Sequence, residues 1–208
     1  MPEWDEIFTE SGRVFLNPHS DMERISELFG KKKIQRILDL GCGTGRHILF
    51  FAKKGFDVYG LDGSPRGIEL AREWLTEEGE EAKLDCSRIE HPFPYADKFF
   101  DALISIQVIH HNFIADILKT VKEIERVLKK DGIIFITIPY LIEDQPTSDE
   151  WQLKKVESRT YIPHAGKEKG IPHHFFSLEE IEKIFNAFEF LEIYIDTTNH
   201  RAILGVKK

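Results

Sequence analysis

Three glycines at alternate positions, Gly41, Gly43 and Gly45, follow the apolar run Ile37-Leu-Asp-Leu40 and precede a stretch with helical apolar spacing. Such a loop lets bare backbone approach a ligand. The free N–H groups and positive dipole end of a helix opening near Arg46 then favour an anion or a polar nucleoside. Asp39 stands in the last turn of the preceding strand, and Cys42 lies inside the loop. Asp62 closes a second apolar run, Val58-Tyr-Gly-Leu61, with Gly63 beside it. At the tip of the neighbouring strand a carboxylate can accept from both hydroxyls of a ribose. Its place seventeen positions after Gly45 fits a ribose-binding acid, which lies about twenty residues on. Asp85 and Cys86 end a third short run, and Gln107, Val108, Ile109, His110 and His111 leave a fourth at the edge where open α/β sheets bind ligands. An imidazole at His110 or His111 suits a general base; the alternative is that one packs against the ligand and the other caps a helix. Consecutive residues of an extended segment point apart and no acid stands at ligand spacing, so no metal site is expected.

The elements that must position these groups alternate strand with helix. Ile48, Leu49, Phe51 and Ala52 form a first helix closed by Lys53-Lys-Gly55, and Ser64-Pro65 open a second through Ile68, Leu70, Ala71 and Leu75. Ile114, Ile117, Leu118, Val121, Ile124, Val127 and Leu128 mark a longer amphipathic helix before a fifth strand, Ile133 to Ile138. Ser177 with Glu180 makes a capping box, and Phe188–Ile195 and Ala202–Val206 read as two closing strands. An earlier helix runs from about Ser20 through Met22, Ile25 and Phe29 to Gly30. Before it, Trp4, Phe8 and Phe15 either cover core surface or fold over a ligand as a cap.

The G-x-G-x-G spacing departs from the G-x-G-x-x-G of dinucleotide folds, and Arg46-His47 stand where a phosphate loop needs Lys-Ser/Thr. Asp39-Leu-Gly-Cys-Gly-Thr-Gly45 instead resembles the first motif of the class I S-adenosylmethionine-dependent methyltransferases. Phe93-Pro-Tyr95 through Phe99-Phe-Asp101 is similar to that family's passage into the fourth strand, where Asp101 reads as structural. The resemblance covers almost the whole chain. It implies one Rossmann-like, doubly wound α/β domain over residues 1–208, with seven strands, mostly parallel, ending in an antiparallel hairpin. It implies S-adenosylmethionine as cofactor, held by Asp39, Gly41, Cys42, Gly43, Gly45, Asp62 and Gly63. Asp85 would take the adenine amino group, the backbone of Cys86 would address the ring, and one of Gln107, Val108, Ile109, His110 and His111 would lie near the sulfonium.

Residues 141–176 show no sustained periodicity and leave the ligand edge of the sheet, so they read either as an acceptor-site lid or as a passive surface loop. Tyr161, His173 and His174 are its candidate catalytic residues, with Trp151, Arg159 and His164 as further pocket candidates. Whole-chain properties narrow the acceptor. With 208 residues, 41% hydrophobic and 12% aromatic, the chain can build one sizeable core. Two cysteines at unrelated positions make neither a disulfide framework nor a zinc motif, and the amino terminus carries no secretory pattern, so the cytoplasm is the expected compartment and no membrane is expected. A net charge of −8 disfavours a polyanionic partner and points to a small-molecule acceptor. RNA or protein, served by a basic rim near Arg13, Arg159, Lys167 and Lys169, is the alternative acceptor, and a non-catalytic S-adenosylmethionine-binding protein the contrasting class.

Overall fold

A computed structural model describes residues 2–140 and 152–208. Helices α1 (Pro2–Ser11) and α2 (Met22–Lys31) lead into strand β1 (Arg36–Leu40), helix α3 (Arg46–Lys53), β2 (Asp57–Asp62), α4 (Pro65–Glu78) and β3 (Lys83–Cys86). There follow β4 (Phe100–Ile106), α5 (Ile114–Val127), β5 (Leu128–Ile138), β6 (Leu153–Glu157), β7 (Thr160–Pro163), β8 (His173–His174), α6 (Leu178–Ile184), β9 (Phe188–Ile195) and β10 (Arg201–Lys207).

Seven strands form one sheet in the order β3-β2-β1-β4-β5-β10-β9. The first five pair in parallel, and β10 runs antiparallel to both β5 and β9. This is the expected Rossmann-like sheet with a closing hairpin. Its central strands are apolar on both sides because helices cover both faces. Leu38, Leu103, Ile134 and Ile136 pack toward α5 and α6, whereas Ile37, Ala102, Ile104 and Phe135 pack toward α2, α3 and α4. The strand order reverses between β1 and β4, which opens a crevice beyond their carboxyl ends. Asp101 lies at the opposite end, accepting from the backbone N–H groups of Gln35 (3.1 Å) and Arg36 (2.8 Å). That ties β4 to the start of β1, the structural role expected of it.

Three local readings change. Residues 2–11 form a helix that lies against α4, inserting buried Phe8 beside the glycine loop and Gly67. The long helix stops at Val127, because Leu128 is already extended (φ −79°, ψ 139°) and begins β5. The segment read as irregular contains a three-stranded antiparallel sheet, β6-β7-β8. The strands are too short, at two to five residues, to leave a period in the sequence. Gln145, Pro146 and Trp151, with the rest of 141–151, lie outside the described residues. No helix among the described residues is long and apolar enough to cross a membrane.

Candidate functional site

The crevice beyond β1, β2 and β4 is a cavity of about 490 Å³, within the range of roughly 300–1,000 Å³ usual for small-ligand sites. Its floor is the turn from β1 into α3. Gly41 adopts φ +76°, and a Cβ there would lie 2.3 Å from Val108 Cγ1. Gly45, the N-cap of α3 at φ +92°, would put a Cβ 2.9 Å from that of Ala71 in α4. Both positions therefore demand glycine on two counts, a left-handed backbone and a close neighbour.

Asp62 reaches the cavity wall from the tip of β2. One carboxylate oxygen accepts from the N–H of Gly43 and the other from that of Ser64, each at 2.8 Å, so the acid clamps the glycine loop to the start of α4. Burial raises its pKa, and these two N–H groups oppose the rise. Each oxygen retains a further lone pair, so the carboxylate can still accept from a vicinal diol. Gly63 and Cys42 line the same wall.

Asp39 lies beneath the loop rather than on the wall, only 1% exposed, and its Oδ2 has no hydrogen-bond partner. Burial pushes it up to about 7, with the charge of Arg46 opposing and that of Asp62 reinforcing the rise. His47 Nδ1 stands 3.9 Å from Asp39 Oδ2, and its Nε2 accepts from the His19 N–H. Burial holds His47 neutral, reinforced by the charges of Arg46 and His19.

Asp85 and Cys86 are not among the residues lining this cavity. Asp85 lines a separate groove with Tyr59, Tyr95 and Phe99. Past β3 the chain stays beside Asp62, the Ser87 N–H donating to its carbonyl at 2.9 Å, and Arg88, Ile89 and Glu90 supply that wall instead. Gln107 leaves β4 at φ +61°, a left-handed conformation of the kind found at functional sites in a residue other than glycine. It lies on the wall, and its amide donates to Thr198 Oγ1 at 3.1 Å.

The opposite end of the cavity is rich in imidazole. His110 and His111 occupy a turn closed by the bond from the His111 N–H to the Val108 carbonyl (2.9 Å), not an extended segment. Their rings therefore lie on one side, centroids 3.9 Å apart, against the expectation that they point away from each other. Burial and neighbouring histidines hold both well below the usual imidazole pKa. The adjacent pair in β8 divides as a strand requires. His173 faces the cavity, while His174 is turned into the protein, 2.9 Å from Thr160 Oγ1 and 3.3 Å from Glu180. Tyr161 packs on Phe175, centroids 5.7 Å apart, and is likewise off the wall.

Several wall residues went unread in the sequence as site residues: Arg46, Glu168, Phe175 and His200, the last from the turn between β9 and β10. Trp4, Phe8 and Phe15 close the remaining side, so the first 30 residues contribute to the cavity as well as to the core. Of the suggested basic rim, Arg13 is committed to Glu77 through two bonds of 2.6 and 2.9 Å, and none of its four members lines the cavity.

Residues 38–136 match the family described as Methyltransferase domain. The chain is 32% identical over 116 residues to the uncharacterized methyltransferase YcgJ of Bacillus subtilis, covering 56% of this chain and 45% of that protein. It is 30% identical over 115 residues to a ubiquinone biosynthesis O-methyltransferase of Haemophilus ducreyi, covering 53% and 46%. It thus spans less than half the length of these relatives. The PH0226 protein of Pyrococcus horikoshii shares the fold over 96% of this chain and 99% of its own, with a TM-score of 0.76 at 23% identity. The glycine loop, the acid at the tip of β2 and the strand order agree with these matches, and residues 38–136, just under half of the chain, are similar to a methyltransferase domain.

Proposed function

We propose that the protein transfers the methyl group of S-adenosylmethionine to a small-molecule acceptor. One observation carries the reading: the glycine loop and Asp62 line the same cavity as Gln107, His110, His111 and His173, so a nucleoside end and an acceptor end share one space. The bound cofactor supplies an electrophilic methyl group on a sulfonium. Asp62 accepts from the ribose hydroxyls, Gly41 and Gly43 let the backbone approach, and Arg88, Ile89 and Glu90 form the adenine side in place of Asp85 and Cys86. Trp4, Phe8 and Phe15 exclude water from one side. Glu168, His173 and Phe175, from the 141–176 segment, do so from the other and shape the acceptor pocket. Positioning and water exclusion supply most of the rate in such a displacement, so it needs no dedicated base. The largely apolar cavity, the charge of −8 and relatives named for ubiquinone biosynthesis favour a small organic acceptor over RNA or protein.

Calorimetry with S-adenosylhomocysteine, NAD and ATP tests the cofactor half. The expected result is saturable heat and a raised melting temperature for S-adenosylhomocysteine alone, since ligands of the native state stabilise it by mass action. Equal binding of NAD would refute the assignment. An acceptor screen coupled to S-adenosylhomocysteine release then tests transfer.

A further inference from the structure

We infer that His110, His111 and His173 form a binding site for one divalent transition-metal ion at the acceptor end of the cavity. The potential ligand atoms of the three side chains all lie within 4.8 Å of one another. All three residues are buried, with exposures of 3%, 7% and 4%. Nitrogens bound to one tetrahedral ion at about 2.1 Å stand roughly 3.4 Å apart, so closure asks the rings to draw in by about 1 Å, within the reach of small side-chain rotations.

Two details distinguish this group from histidines that merely pack. His110 Nδ1 is buried without a hydrogen-bond partner, a costly arrangement for a polar atom with no other use. His173 Nδ1 lies 2.9 Å from the Ile171 carbonyl, which can only accept, so that nitrogen carries the proton. In the neutral ring Nε2 then presents a lone pair, yet it faces Glu168 Oε2 at 2.7 Å. That contact is a hydrogen bond carried by a proton on one of the two groups, and a metal ion taking Nε2 would displace that proton. The same Glu168 oxygen is 3.9 Å from His111 Nε2, which places a carboxylate beside two of the three imidazoles.

The surrounding structure holds the group in place. The His174 N–H donates to the His110 carbonyl at 2.9 Å, docking β8 onto the turn after β4 and bringing His173 to the other two rings. Trp4 lies against His111, centroids 5.4 Å apart. The bond from His173 Nδ1 to a backbone carbonyl is the outer-shell contact that orients a metal-ligating imidazole. Three imidazoles with one adjacent carboxylate suit Zn²⁺, Fe²⁺, Co²⁺ or Ni²⁺ over Mg²⁺ or Ca²⁺, which prefer oxygen ligands. Because the three histidines and Glu168 all line the cavity, an ion held by them would offer its open position to whatever lies inside. That this would grip an anionic oxygen or sulfur of the methyl acceptor rests on the proposed function; the binding of the ion does not.

The test uses tag-free, chelator-treated full-length protein titrated with Zn²⁺ by competition calorimetry and with Co²⁺ by visible absorption. One ion per chain is expected, with a Co²⁺ ligand-field band. His110→Ala and His173→Ala should each weaken binding by about 100-fold or more. Should either variant unfold, ring ¹⁵N spectra of the wild type decide: Zn²⁺ should shift three of the nine histidine rings, those of 110, 111 and 173. Binding weaker than millimolar, binding unaffected in folded variants, or shifts at other rings would overturn the inference. S-adenosylhomocysteine titrated in parallel should bind with or without Zn²⁺. Its failure beside an intact ion site would strike the proposed function alone, and its success without an ion site would strike this inference alone.

Discussion

Replacing Asp39 by asparagine should change how the protein's stability responds to pH. In the native state burial holds the carboxyl near 7 against an ordinary value of 3.8, with Arg46 opposing and Asp62 adding to the rise. Between those values the unfolded chain ionises Asp39 while the native protein keeps it protonated, so the native state binds more protons and its stability falls as pH rises. The loss begins above the unfolded value and ends once pH has passed the folded one. At about 1.4 kcal/mol per pH unit, the wild type should lose about 3 kcal/mol between about pH 4.5 and 7.5 through this group. The amide introduced by Asp39→Asn does not titrate. It adds an offset that does not itself vary with pH. Urea unfolding of both proteins at several pH values across that window, analysed at a common slope, gives the comparison. The variant should gain on the wild type by about 3 kcal/mol across it. Parallel stability curves would refute the reasoning, showing that Asp39 is ionised and solvated in the native protein.

Asp62→Ala should weaken S-adenosylhomocysteine binding by about 2 kcal/mol, roughly 30-fold by calorimetry. It should also lower stability by about 1–3 kcal/mol, because the Gly43 and Ser64 N–H groups lose their acceptor; unchanged affinity in a folded variant would remove Asp62 from the site. Gly41→Ala should cost about 2–3 kcal/mol in urea unfolding, since φ is +76° and the new Cβ would meet Val108; a neutral effect would show that the loop relaxes freely.

Much of the glycine-loop half of the cavity was legible because its geometry is local. The strand, the glycine turn and the helix that create the loop are contiguous in Ile37–Ala52, and Asp62 reads as a strand tip because its apolar run is bounded by turn residues. A parallel sheet then brings those tips to one edge whatever else the chain does. The family resemblance gave Asp101 its structural place, and the last two apolar runs gave the hairpin that closes the sheet. Both kinds of reading stopped at Asp85, where the separation of strand tip from cavity wall depends on how the chain bends after β3.

The histidine end depended on tertiary structure. Whether His110 and His111 converge depends on a turn set by one backbone bond from His111 to Val108, not on their adjacency. Which of His173 and His174 enters the cavity depends on the register of β8 against β7, Thr160 opposite His174 and Tyr161 opposite His173. A shift of one residue would exchange them. Glu168, His200 and Trp4 arrive from segments 32 or more residues apart, and no spacing rule links them. The sequence alone determined the alternation of strand and helix, the glycine loop and the acid beside it, because those follow from periodicity and contiguous turns, while the order of the sheet was read from a family resemblance. Only the tertiary structure decided which imidazoles meet, because their meeting is set by long-range strand pairing and by the packing of α1 over the cavity.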